Sequence, residues 1–333
     1  MRKLVRIPKD ADLPLIGCIT FGLIDRGTNL IQVRPISGCC LNCIFCSVDE
    51  GPKSKTRVTS YMVDVSYLIE WLREIIKFKG EYKIECHLDC CGEVTLYPYL
   101  VDLVQAISEI KGVDTISMQT KALLLDEKKI DELAEVGLSR INLSIDSLDP
   151  ELAKKITGTE SYDVNRIIRL AKYIVKTKID LLLAPVWVPG LNDKEIPKII
   201  EFAKEIGCGK KWLPLGIQNY EIHKFGRKVK GVKPISYWKF FRKLEELEKK
   251  FNVKLRVTPK DFGIHKRKII PLVFKKGEKT RIVIKAPGWM RNEMIGVAKN
   301  RCITVVNCSS GVEDEIRVKI LENKHNLYIA KRV

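Results

Sequence analysis

The run Ser37-Gly38-Cys39-Cys40-Leu41-Asn42-Cys43-Ile44-Phe45-Cys46 puts three cysteines, Cys39, Cys43 and Cys46, within eight residues, spaced C-x3-C-x2-C with an aromatic before the last. Three thiolates on one short loop suit three irons of a [4Fe–4S] cube and leave the fourth iron without a nearby protein ligand. An iron with an open position is a place for chemistry rather than a structural staple. The competing reading is a structural zinc site. Zinc closes a tetrahedron of four ligands, yet no fourth cysteine or histidine lies close in sequence, and Cys40, adjacent to Cys39, is poorly placed to share its metal.

Outward from this loop, residues 30–220 alternate short apolar runs with amphipathic stretches. Leu30–Pro35 reads as the strand that delivers the cysteines. Strands are expected at Tyr82–Leu88, Thr115–Gln119, Arg140–Ile145, Asp180–Val188 and Trp212–Ile217. Helices are expected at Tyr61–Phe78, Tyr99–Ile110, Asp126–Glu135, Val164–Lys176 and Glu195–Ile206. Six βα-type repeats imply an α/β fold with a parallel sheet, right-handed crossovers and functional residues at the C-terminal strand ends. Residues 222–235 read as a basic linker and Tyr237–Phe251 as an amphipathic helix. Beyond Lys268 five short runs, Leu272–Phe274, Arg281–Lys285, Cys302–Val306, Ile316–Leu321 and Leu327–Ala330, are separated by turn residues. They predict a small all-β, OB-like barrel.

The chain has 333 residues, is 45% hydrophobic and carries a formal charge of +18. That length and apolar content exclude a disordered chain. Eleven cysteines, clustered in a long chain without a secretory signal, read as reduced thiols rather than a disulfide scaffold. No run approaches the roughly 20 apolar residues of a membrane span, so the expectation is a cytoplasmic protein with no membrane partner. The abundance of Lys, Glu and Ile hints at heat adaptation. The charge is uneven. Residues 222–333 hold 29 Lys+Arg against 10 Asp+Glu, and residues 1–221 hold 30 against 31. A basic third beside a neutral catalytic-looking segment points to a polyanion, most often nucleic acid.

The cysteine loop, its aromatic and its place after the first strand of a βα series resemble the radical S-adenosylmethionine (SAM) superfamily over roughly residues 28–220. The resemblance implies a partial (β/α)6 TIM-like barrel. It implies a [4Fe–4S] cluster on Cys39, Cys43 and Cys46, with SAM chelating the fourth iron. Reductive cleavage of SAM then yields a 5′-deoxyadenosyl radical that abstracts hydrogen from a substrate. Phe45 is expected over the adenine. Cys91-Gly92-Glu93-Val94 resembles the family's Gly-Gly-Glu-Pro segment, making Gly92 and Glu93 contacts to the SAM amino group, although Cys91 replaces a glycine and Val94 the proline. Gln119-Thr120-Lys121-Ala122 loosely resembles the family's Thr-Asn-Gly turn. Ser144 and Asp146, two apart on one strand, are expected to orient SAM. Asn192 or Asp193 reads as the cap of the helix from Glu195. Cys91 is the candidate catalytic cysteine, and Cys86, Cys90, Cys18 and Cys208 leave a relay or second cluster open against the plainer reading of buried thiols.

Residues 272–333 resemble a TRAM domain, the small barrel appended to several RNA-modifying enzymes, through Gly296–Val306 and Val312–Ile320. Lys275, Lys276, Lys279, Arg281, Lys285, Arg291, Lys299 and Arg301 are candidate phosphate contacts, and Trp289 a stacking platform. The expected organisation is an extension at 1–27, the radical SAM barrel at 28–221, a basic linker and helix at 222–267 and a TRAM-like barrel at 268–333. RNA, with tRNA the first choice, is the expected substrate, for methylation or another C–H functionalisation, and a ferredoxin or flavodoxin the electron donor. About 27 residues ahead of the first strand leave no room for the extra cluster domain of methylthiotransferases. The alternatives are a radical SAM enzyme acting on a peptide or small molecule, and a non-catalytic RNA-binding iron–sulfur protein.

Overall fold

In the computed structural model, which describes residues 2–333, the chain divides into two units. One comprises the N-terminal segment to Gly38 with 55–115 and 266–333; the other comprises 39–54 and 116–265. In the first unit, Lys3–Ile7 (β1), Gly22–Asp25 (β2), Leu30–Arg34 (β3) and the two-residue Ser37–Gly38 (β4) precede Thr59–Val63 (β5). Strand β5 corrects the helix expected from Tyr61. The β-branched and aromatic run Thr59-Ser60-Tyr61-Met62-Val63 pairs in parallel with β1, and helix α1 (Val65–Lys79) begins only after Asp64. Strand β6 (Ile84–Leu88) lies parallel to β3, and the short β7 (Cys91–Gly92) parallel to β4. Helix α2 spans Leu100–Ser108.

The end of α1 is fastened by a buried ion pair. Lys79 Nζ lies 2.7 Å from Asp25 Oδ1, and both side chains are essentially inaccessible. The remaining valences are filled. Gly27 N–H also donates to Asp25 Oδ1, Ile270 N–H to Oδ2, and Lys79 to the Lys268 carbonyl. A buried pair is costly to break because the survivor keeps its charge without water.

Strand β8 (Val113–Thr120) carries the chain into the second unit, where Arg140–Leu143 (β9) is parallel to it. Helix α3 (Glu127–Glu135) intervenes, capped by Asp126. Pro150–Thr157 (α4) was not anticipated, although Asp149 caps it and Pro150 occupies its first turn. After Val164–Ile174 (α5), Asp180–Leu183 (β10) pairs in parallel with β9. Two prolines, which lack an N–H, break the last expected strands. Pro185 splits β10 from Val186–Trp187 (β11), and 212–217 is irregular around Pro214. The chain still follows β10, since Leu183 N–H donates to the Pro214 carbonyl and Gly216 N–H to that of Leu183. Glu195–Ile206 (α6), Gln218–Asn219 (β12) and Tyr237–Phe251 (α7) complete the unit.

The C-terminal residues close a five-stranded barrel: Lys279–Pro287 (β13), Glu293–Ala298 (β14), Arg301–Val306 (β15), Glu315–Glu322 (β16) and Ile329–Arg332 (β17), in the order β13-β14-β15-β17-β16. The expected strand at Leu272–Phe274 is instead extended chain that delivers Phe274 into the barrel core beside Ile282, Ile303, Val318 and Tyr328. The missed strand, β14, contains Gly296, whose absent side chain leaves room for Ile282. The barrel is stitched to the rest of the first unit. Cys302 N–H donates to the Ile16 carbonyl, Tyr328 N–H to that of Gly17, and the Tyr61 hydroxyl to that of Pro287.

Replacing Asp25 with Ala strands the Lys79 ammonium. The expected loss is about 3–5 kcal/mol, read as a lower urea midpoint, whereas exposed Lys9, 3.5 Å from Glu70, is expected to cost under about 1 kcal/mol when removed.

Candidate active site

Residues 39–46 have almost no regular structure, so their shape is set by what grips them. Helix α4 supplies two of its terminal carbonyls, groups a helix end leaves unpaired. Asn42 N–H donates to Thr157 O and Ile44 N–H to Ile156 O, each at 2.9 Å. Gly158, left-handed at φ +59°, ends that helix against the loop, where a Cβ would stand 2.4 Å from the Asn42 carbonyl. Asn42 Oδ1 accepts Lys53 N–H.

Arg227 holds the other side. Its backbone N–H donates to the Cys46 carbonyl at 2.8 Å. Its guanidinium donates to the Cys43 carbonyl at 3.1 Å, to Asp49 Oδ1 at 2.9 Å and to the Glu50 carbonyl at 2.6 Å. Gly226 lets this approach happen, since a Cβ there would lie 2.7 Å from the Ser47 carbonyl. Residues read from sequence as a basic linker thus contribute a clamp on the cysteine loop.

The three cysteines differ in setting. Cys39 and Cys46 are half-buried, and each sulfur accepts a backbone N–H at 3.4 Å, from Leu41 and Glu50 respectively. Cys43 is buried, which pushes its thiol up to about 11, opposed by nearby Lys121; metal binding reverses this by displacing the proton. Among the described residues no three His, Cys, Asp or Glu side chains converge on one point as a single metal ion requires. A preformed zinc tetrahedron is therefore not what the loop offers, whereas a cube needs each thiolate to reach a different iron. Three free cysteines on a gripped loop, two of them already accepting N–H bonds at sulfur, fit that donor set.

Strand ends of the same unit supply the polar groups. Lys121, just past β8, pairs with Asp146 Oδ2 at 2.6 Å, with both side chains largely buried. Asp146 raises the Lys121 ammonium above its ordinary value despite the opposing burial. Asp146 Oδ1 accepts Val186 N–H, so both carboxylate oxygens are engaged and Asp146 serves as the anchor of Lys121. Ser144 Oγ, half-buried, accepts from Gln119 Nε2 at 2.5 Å. Ala122 holds φ +56°, the left-handed conformation a glycine would favour in this turn. Asn192 is not the cap of α6. It is fully buried, accepts Val188 N–H and donates to the carbonyls of Asp146 and Val186. Phe45 is half-buried on the loop.

In the first unit, Gly92 sits at φ +142° with its Cα so near the Gly38 carbonyl that a Cβ would be 1.8 Å from it. Glu93 is buried; its N–H donates to that same carbonyl, and its Oε1 accepts from Thr95 N–H and Oγ1. Cys91, also buried, lies 3.3 Å from Arg34 Nη1. Burial raises the thiols of Cys18 and Cys86, and takes Cys208 up to about 12. Cys90 is half-buried.

The sequence model of the Radical SAM superfamily matches residues 33–203. This chain belongs to the radical SAM superfamily. It is 45% identical to an uncharacterised protein of Methanocaldococcus jannaschii over 96% of this chain and 79% of that protein. It is 27% identical to a GTP 3′,8-cyclase of Chlorobaculum tepidum, covering 61% of this chain and 57% of the cyclase. A solved structure of native anSMEcpe with bound AdoMet shares the fold at a TM-score of 0.52 and 20% identity, over 68% of this chain and 63% of that one. The TIM-like α/β fold of the family and its use of a [4Fe–4S] cluster and SAM follow for this radical SAM chain.

Replacing Arg227 with Ala is expected to lower iron per chain after reconstitution and to speed cluster loss to a chelator. Arg227→Lys should rescue little, because a point charge cannot span three acceptors. Wild-type cluster retention in Arg227→Ala would contradict the clamp.

Proposed function

We propose that this radical SAM enzyme functionalises a C–H bond of RNA, with tRNA the first candidate. When bound, the cluster and SAM supply a 5′-deoxyadenosyl radical. The protein's own work is to hold the three thiols through Arg227 and α4, and to keep Lys121, Ser144 and Asp146 ordered at the strand ends. Gly92 and Glu93 are proposed contacts to SAM.

The observation that carries the RNA reading is the N-terminal turn and a half of α7. Tyr237, Trp238 and Phe241 are all exposed, and Arg242 lies over the Trp238 ring at 4.8 Å. Exposed aromatics among cations are what single-stranded nucleic acid stacks on. Residues 222–333, which include this helix, hold the +19 excess. The GTP 3′,8-cyclase named above acts on a nucleotide by its name, which agrees with a nucleotide-bearing substrate.

The TRAM-like barrel contributes less to this reading than its lysine count implies. Lys276, Arg281, Lys285 and Lys299 pair with Glu322, Glu315, Glu313 and Glu278. Arg301 is buried. Trp289 is buried as well, with the Arg57 guanidinium 3.7 Å from its ring centre, so that face is not open for a base. Lys275, Lys279 and Arg291 remain exposed candidates.

Filter binding of bulk tRNA tests the proposal. Affinity is expected to fall steeply with salt, and Trp238→Ala with Phe241→Ala to cost about 1–3 kcal/mol per lost stack. Salt-independent binding, or binding untouched by the double substitution, would remove the RNA reading.

A further inference from the structure

A cavity of about 760 Å³ opens in the second unit against the cysteine loop. Lys53, Lys155, Arg227, Lys228 and Lys230 line it, and no carboxylate does. Its floor includes Asn42 and Ile44, the residues on either side of Cys43. Cys43 itself is not in the lining; it is buried within reach of Lys121 and Asp146 at the strand ends. The cavity therefore meets the cysteine loop through the flanks of its buried ligand rather than through the strand-end groups. Arg227 joins the two, lining the cavity while its guanidinium bonds the Cys43 carbonyl at 3.1 Å. Next to it in sequence, Phe225 is exposed.

Radical SAM cleavage consumes one electron that the chain cannot supply itself. We propose that this cationic cleft is the docking surface for an acidic one-electron carrier protein. One electron leaves the carrier's reduced flavin or iron–sulfur centre and enters the cluster; no bond forms between the proteins, and the carrier departs oxidised. Five cations without a carboxylate give the charge complementarity that steers such encounters. An apolar residue within a charged rim is the usual anatomy of such contacts, and redox complexes need only a small interface. RNA is the competing polyanion. The cleft's place against the flanks of Cys43, rather than at the strand ends where substrate chemistry belongs, favours the carrier. The proposal rests on the radical SAM assignment and not on the RNA reading.

The test uses the reconstituted full chain with a purified acidic flavodoxin and, separately, a purified ferredoxin. Two double variants, Lys155→Glu/Lys228→Glu and Lys53→Glu/Lys230→Glu, are compared with wild type; their Gln counterparts replace any that fails to fold. Wild type should bind at least one carrier, with affinity that falls with salt. The charge reversals should weaken that binding on the order of tenfold at low salt. The rate of cluster bleaching by the reduced carrier, divided by the rate with dithionite, should fall by the same factor. Dithionite needs no docking, so the ratio separates a lost docking surface from a damaged cluster. The proposal is overturned if wild type binds neither carrier or if the variants bind and accept electrons like wild type. It is also overturned if the variants lose tRNA affinity while carrier binding persists, which assigns the cleft to RNA.

Discussion

The grip of Arg227 on the cysteine loop is the contact on which the candidate site depends. A loop with three thiols and almost no backbone pairing of its own has many conformations, and fixing each residue costs about 1–2 kcal/mol of entropy. One side chain and its own amide fasten the carbonyls of Cys43, Cys46 and Glu50 and the Asp49 carboxylate. The carbonyls at the end of α4 secure the opposite edge. A guanidinium suits this task because its planar fork presents several donors in fixed directions and does not lose its charge.

Much of this was legible in sequence because it rests on local rules. The spacing of Cys39, Cys43 and Cys46 is visible in ten residues, and strands 30–34, 84–88 and 140–143 announce themselves as apolar runs between turn residues. Helix α7 starts and stops where its serine cap and apolar period place it. What escaped was non-local. Arg227 looked like one more cation in a basic run, since nothing within its own neighbourhood says that it folds back on residues 43–50. Lys121 was passed over because the turn it occupies matches its family pattern loosely. Asn192 was taken for a cap because Asn before a helix usually is one; it is committed instead to three backbone partners, two through its amide. Strand β14 was missed because Gly296 and the turn residues around it broke the apolar run.

Charge shows the same lesson on a larger scale. The +19 of the C-terminal third reads as one basic surface when only counted. In space it separates into paired lysines and arginines on the barrel, an aromatic and basic face on α7, and a cleft against the cysteine loop. These are different chemical environments, and they are proposed to meet different molecules. The radical SAM assignment stands apart from both proposals, because it rests on the loop, its family match and the fold shared with the family. Among the described residues no helix is long and apolar enough to cross a membrane.

The central claim is that one gripped loop of three thiols is the catalytic centre. Its most direct test measures iron content and 5′-deoxyadenosine formation together, in anaerobically reconstituted wild type and Cys43→Ala given SAM and dithionite. The account predicts about four irons per chain and SAM-derived 5′-deoxyadenosine from wild type, with neither from Cys43→Ala. Full iron loading of Cys43→Ala, or no 5′-deoxyadenosine from fully loaded wild type, would contradict it.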